Sequence, residues 1–205
     1  MPDAPRANRT GLTRRAMLLA APALGLAGLH PGRAASEESV WPPVFATGRS
    51  QFTVVRPRLP MPPLRLRDLR GKDVVLTAKP GRVTLVNFWA TWCAACRLDL
   101  PVMASLARSR SDGLDVYAIC TDTGDLGKIT RYLGGLDTQN LRSYVDAYGA
   151  AVAANDPTDA AFRLIGMPIT YLIGTSNRIE GYITGAADWL SPPGAALLQF
   201  YREQA

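Results

Sequence analysis

The sequence predicts an α/β domain, a mixed central sheet with helices on both faces and an added strand hairpin at its N-terminal side. Three observations lead there. Short runs rich in β-branched residues alternate with segments of helical periodicity, a strand-turn-strand-helix pattern closes the chain, and a Cys-x-x-Cys pair joins the most apolar run to the first helical segment. With 205 residues, 47% of them hydrophobic, the chain can bury a core without disulfide staples.

Residues 1–34 read as a secretion signal. Thr13-Arg14-Arg15 opens a short apolar stretch reaching about Leu29, with Gly32 and Ala34 as small residues before a cleavage point. The paired arginines suggest the twin-arginine route. The apolar stretch falls short of the roughly 20 residues that span a bilayer, so an uncleaved leader would act only as a tether. Five arginines against Asp3 carry four of the chain's six net positive charges, leaving +2 for the remainder. That balance gives no electrostatic footprint for nucleic acid. Export to the periplasm follows, as does an expectation of a monomer.

Residues 35–63 are expected to form a Pro-rich linker, with Gln51 to Val55 able to add a strand. The domain proper is expected over 64–205. Leu64 to Leu69 and Val74 to Thr77 flank Arg70-Gly71-Lys72 as a hairpin. Val83 to Phe88 is apolar and β-branched enough for a buried central strand. Cys93 to Arg108 repeats apolar residues at Cys96, Leu100, Met103 and Leu106, a helix in which Pro101 would place a kink. Leu114 to Ile119 is the next strand. A helix from the Thr121-Asp122 cap signal to Leu133 stops at Gly134-Gly135, and Leu141 to Val145 makes a short strand. Asp156-Pro157 begins a helix reaching Leu164. The strands Ile169 to Ile173 and Arg178 to Thr184, joined at Ser176-Asn177, precede a last helix from Pro193 to Gln204.

Two cysteines three apart at a helix start share one turn, so one thiolate can attack a disulfide while the other resolves the mixed disulfide. Cys93 is the attacking thiol because the helix N-terminus stabilises its negative charge, and Cys96 lies deeper. Other uses of the pair are open to the residues. Half of a zinc site would need two more ligands, with only Cys120 left among the soft ones. Haem attachment needs a histidine where Arg97 stands, and a structural disulfide usually closes a longer loop. The sole histidine, His30, falls within the leader, so the exported chain has none for Cys-His or Ser-His-Asp catalysis or for a histidine zinc site. Cys120 ends an apolar strand and reads as a buried, inert thiol.

The segment Val86-Asn87-Phe88-Trp89-Ala90-Thr91-Trp92-Cys93-Ala94-Ala95-Cys96-Arg97-Leu98-Asp99-Leu100-Pro101 resembles the TlpA/ResA/CcmG-type thioredoxin-like proteins, whose motif runs close to NFWATWCxPCRxExP. Gly166-Met167-Pro168-Ile169-Thr170 and Gly185-Ala186-Ala187-Asp188-Trp189 resemble later marks of the same family, so the likeness covers about residues 64 to 204. The resemblance implies a thioredoxin fold and a thiol-disulfide oxidoreductase with no cofactor beyond the Cys93-Cys96 disulfide. It further implies a cis Met167-Pro168 peptide that docks an extended substrate segment. It places the family's acidic residue at Asp99, as a proton relay or a solvated helix residue, and sets Trp89 and Trp92 around the site. Asn87 stands where thioredoxin has a buried acid.

The family implies as partners disulfide-bearing client proteins, in cytochrome c or copper oxidase assembly, and a membrane electron donor of the DsbD/CcdA kind. Ala95 departs from the family's proline before the second cysteine, so the redox poise is not inherited and an oxidase or isomerase is an alternative. A Cu(I)-binding chaperone is another, since soft thiolates suit that ion. The Pro-x-x-x-Thr-x-x-Cys signature of a peroxidase is missing.

Overall fold

The structure is a computed structural model describing residues 41–48, 50–109, 113–149 and 162–204. All of these lie in the compact unit Ser39–Ala205. The leader expected over 1–34 and most of the helix expected from Asp156-Pro157 lie outside the described residues.

The centre of the fold is β6 (Val83–Trp89) with β7 (Leu114–Cys120) parallel to it. Every residue of both strands is buried, as expected of strands covered on two faces. On one side β9 (Ile169–Ile173) runs antiparallel to β6, followed by β10 (Ile179–Thr184) and then β3 (Thr53–Val54). Beyond β7, β8 (Arg142–Val145) is parallel, and the hairpin β4 (Leu64–Asp68) and β5 (Asp73–Leu76) extends the sheet antiparallel. The order β3-β10-β9-β6-β7-β8-β4-β5 is a thioredoxin-type mixed sheet with the expected hairpin at one edge.

A second, two-stranded hairpin, β1 (Ala46–Thr47) with β2 (Ser50–Gln51), precedes it. The stretch expected as a linker therefore contributes three short strands. Its Phe45 packs on Trp189 at 4.8 Å and its Phe52 on Tyr201 at 6.1 Å. Phe52 also explains Gly181, where a Cβ would fall 2.5 Å from its ring. Proline blocks regular pairing here, but apolar anchors on other elements hold the chain down.

Three helices accompany the sheet. α1 (Ala94–Arg108) buries Cys96, Asp99, Leu100 and Met103 along one face and contains Pro101. α2 (Leu126–Gly134) begins later than the Thr121-Asp122 signal suggests. Asp122 Oδ2 is occupied by the Thr91 amide at 3.2 Å and hydroxyl at 2.5 Å, so Asp125 caps the helix by accepting from Gly127 N at 2.7 Å. α3 (Pro192–Glu203) is capped by Ser191 with proline in its first turn.

The expected helix end at Phe162 to Leu164 is not helical. The Tyr171 hydroxyl accepts from Arg163 N and donates to Arg163 O, taking both backbone groups that a helix would use. Alternate β6 side chains separate two cores. Val83, Leu85 and Trp89 face a cluster with Leu100, Met103, Trp189 and both cysteines of the Cys-x-x-Cys pair. Val86 and Phe88 face a second with Phe162, Tyr171 and the hairpin residues Leu64 and Leu66.

Candidate active site

The site forms where β6 ends and α1 begins. Thr121 N binds Trp89 O at 2.9 Å, Cys93 N binds Ala90 O at 3.2 Å, and Asp122 clasps Thr91, so the connecting turn is fixed from β7's C-terminal side. Cys93 is the N-cap of α1, with extended backbone. It is bonded to Cys96 across an S–S distance of 2.12 Å, and its Sγ also accepts from Cys96 N at 3.1 Å. Cys93 keeps 6% of its surface and Cys96 none. A reduced Cys93 thiolate at this cap would sit against unsatisfied N–H groups and the positive end of the helix dipole.

One helical turn on, Asp99 is fully buried. Its Oδ2 accepts from Asn87 Nδ2 at 2.7 Å and its Oδ1 from Ala187 N at 3.0 Å. Burial pushes its carboxyl up to about 6, while the Ala187 and Asn87 hydrogen bonds work against that rise. Asp99 is therefore no solvated helix residue. A carboxyl near this value takes and returns protons close to neutral pH, as proton transfer to and from a thiol requires.

The Met167-Pro168 peptide is cis. Pro168 is buried with its carbonyl accepting from Gly185 N at 2.7 Å, and half-buried Met167 packs against the cluster that contains both cysteines. A second cis bond, Arg56-Pro57, carried no signal in the sequence. The two tryptophans part company. Trp89 is core, stacked on Tyr132 at 5.5 Å, whereas Trp92 is 74% exposed and lines a groove of about 380 Å³ with Thr121, Asp122, Thr123, Asp125 and Lys128.

Cys120 is buried at the end of β7, beside Trp89 in register. Burial pushes its thiol up to about 12, which makes it a poor nucleophile. Among the described residues no group of three or more His, Cys, Asp or Glu could hold a metal ion, and no helix is long and apolar enough to cross a membrane.

Sequence reasoning missed the residues that hold Asp99. Thr170 and Ala187 lie inside the two late motifs, and those motifs were the available signal. Asn87 shows in the sequence only as the absence of an acid.

A model of the Redoxin family matches residues 57–195. The thioredoxin-like protein YneN of Bacillus subtilis is 25% identical over 127 residues, 60% of this chain and 69% of that protein. The thiol-disulfide oxidoreductase ResA of Oceanobacillus iheyensis is 28% identical over 60% of this chain, and that of Bacillus subtilis 26% identical over 58%. The matches span 55% and 63% of those two proteins' own length. Among solved structures, a thiol:disulfide interchange protein DsbE from Chlorobium tepidum aligns with TM-score 0.52 and 26% identity, over 69% of this chain and 92% of that one. The exposed lipoprotein thioredoxin Etrx1 of Streptococcus pneumoniae, at TM-score 0.54 and 21% identity over 69% and 99% of the two chains, shares the fold. With a disulfide-bonded Cys-x-x-Cys pair at the start of a helix and relatives named as thiol-disulfide oxidoreductases, the chain belongs to the Redoxin family.

Proposed function

We propose that this chain is an exported thiol-disulfide oxidoreductase that reduces disulfides of specific client proteins. The observation that carries the reading is the succession of three groups along one turn and a half of α1: Cys93 at the N-cap keeps 6% of its surface, while Cys96 one turn on and Asp99 a further turn on keep none. In that order, the Cys93 thiolate attacks a client sulfur, forming a mixed disulfide and releasing one client thiolate. Cys96 passes its proton to the Asp99 carboxylate and attacks Cys93 Sγ. The mixed disulfide breaks, the second client thiolate leaves, and two electrons have moved from the dithiol to the client. In this reading the exposed Trp92 and the cis Met167-Pro168 turn serve client docking, with Met167-Pro168 taking the extended client segment.

The Cys93-Cys96 disulfide so formed has to be reduced again by a dithiol donor. A membrane donor of the DsbD/CcdA kind, with clients in cytochrome c or copper oxidase assembly in the periplasm, fits a ResA-like relative and the twin-arginine leader. Full burial of Cys96 weighs against a Cu(I) chaperone, which would need both sulfurs open to an incoming ion.

Trapping tests the reading. Cys96→Ala should leave clients disulfide-linked to Cys93, recoverable from the periplasm and released by reductant. A reactive Cys93 that captures no exported protein would overturn it, as would a dithiol potential as oxidising as about −120 mV.

A further inference from the structure

Asn87 lies at the middle of β6, opposite Thr170 of β9, and has no exposed surface. Both hydrogens of its amide nitrogen are used: one goes to Asp99 Oδ2 at 2.7 Å, the other to Thr170 Oγ1 at 2.9 Å. Its Oδ1 is buried with no partner. Burying a bare carbonyl oxygen forfeits its hydration, so this orientation needs a reason. The reverse orientation would press Oδ1 against an ionised carboxylate oxygen. The amide is therefore turned to suit a charged Asp99, at the expense of its own oxygen.

We infer that Asn87 is a positioning residue that holds Asp99 in its proton-accepting form and follows its protonation by turning its amide. This inference rests on the reading of Asp99 as the acceptor of the Cys96 proton. The proton passes from Cys96 Sγ to an Asp99 oxygen, leaving a Cys96 thiolate and a neutral acid. With Asp99 neutral, a half-turn about the Asn87 side-chain bond brings Oδ1 round to accept from the acid O–H and from the Thr170 hydroxyl. An amide can serve both states because it carries a donor and an acceptor at one place. A leucine there could serve neither, and a second carboxylate would compete for the proton.

No cation helps. The groups that meet Asp99 from β6 and from the chain before α3 are Asn87 and the Ala187 amide, with Thr170 of β9 behind Asn87, and none of these titrates. The titratable side chains in the neighbouring apolar cluster are Cys93 and Cys96 on α1, Cys120 on β7, Tyr132 on α2 and Tyr201 on α3, and burial raises both phenols above their ordinary value.

The oxidised protein allows a clean test, because Cys93 and Cys96 do not titrate while bonded. The Asp99 carboxyl is followed by carbon-13 NMR against pH. Asn87→Leu should move its midpoint upward by about 1–2 pH units, the loss of one hydrogen bond to a charged group. A midpoint that does not move overturns the inference. Should Asn87→Leu not fold, Asn87→Asp carries the test: two coupled midpoints, one clearly above the wild-type value, are expected, and two independent ones in the ordinary aspartate range overturn it.

The rate at which Cys96 resolves a Cys93-glutathione mixed disulfide separates this inference from the relay itself. At pH 7, Asn87→Leu should slow it about 2- to 10-fold, with the gap narrowing as pH rises. If Asp99→Asn resolves as fast as wild type, the relay reading falls. If Asp99→Asn is slow while Asn87→Leu moves neither midpoint nor rate, the relay stands and the role of Asn87 falls alone.

Discussion

Asp99 and Asp115 both lie on buried elements with almost no exposed surface, yet the protein surrounds them differently. Asp115, on β7, receives Arg82 Nε at 2.8 Å and Arg142 Nη1 at 3.3 Å. Glu180 on β10 is treated in the same way, with Arg58 at 3.3 Å and Arg56 at 3.9 Å. Among the described residues Asp99 receives an amide side chain and a backbone N–H and no cation. An opposite charge offsets much of what a buried carboxylate loses on leaving water, and two dipoles offset less. The remainder appears as the rise of the Asp99 carboxyl to about 6. The paired acids carry their own counter-charges, whereas Asp99 stands a turn away from the dithiol, the place that the proposed proton relay requires.

The largest expected effect comes from removing the unpaired acid. Asp99→Asn should slow resolution of the mixed disulfide about 10²-fold, the lower end of what a positioned proton acceptor supplies. The same change should stabilise the oxidised protein. The folded carboxyl sits near 6 against 3.8 for a free aspartate, so between those values the folded state holds the proton better than the unfolded one. Stability therefore falls as pH rises from about 4 to 6, and above that the full penalty of about 3 kcal/mol remains. Urea titrations at pH 4 and pH 7 should show Asp99→Asn gaining on wild type by roughly this amount. A stability difference that is the same at both pH values would break the comparison.

Asp115→Asn should behave in the opposite sense, and more weakly. It strands two arginines against a neutral amide, but their side chains are 35% and 56% exposed and water can relieve them. A loss of about 1–2 kcal/mol at pH 7 is expected, well below the figure for a fully enclosed pair, with client reduction unchanged. A gain in stability would mean that the arginines do not offset the burial of Asp115. The two acids would then no longer differ in kind.

What the sequence made legible follows the range of the contacts involved. β6, the Cys93 cap and α1 are contiguous patterns, each decided by neighbours within a few residues, and each lies where expected, while the cis Met167-Pro168 peptide was implied by the family resemblance alone. The start of α2 was displaced because Asp122 is claimed by Thr91, 31 residues earlier. Residues 41–63 looked like a linker because their partners, Trp189, Tyr201 and Glu180, stand at the far end of the chain. The support of Asp99 was hidden for the same reason. Asn87 is 12 residues away and Ala187 is 88, and a side-chain amide facing an acid leaves no periodic trace. Composition and period report what a segment buries; they do not report which polar groups meet there.

Cys120 sharpens the comparison at its weakest point. It lies in the dithiol's core cluster and, like Asp99, is a buried acid whose shift has desolvation as its first cause. For a carboxyl starting at 3.8, that push ends at about 6, inside the range where protons are exchanged at neutral pH. A thiol starting at 9.0 and pushed the same way reaches about 12, beyond it. Desolvation is the first cause in both, offset at Asp99 by the Ala187 and Asn87 hydrogen bonds, and the different starting values set where each acid ends. Cys120→Ala should therefore cost no more than about 1 kcal/mol, from the lost packing of one sulfur in a buried strand, and leave the rate of disulfide reduction within twofold. Alkylation of the reduced, folded protein at pH 8 should label Cys93 first and spare Cys120. A tenfold fall in rate, or early labelling of Cys120, would show that burial does not silence this thiol and that a third cysteine takes part in the exchange.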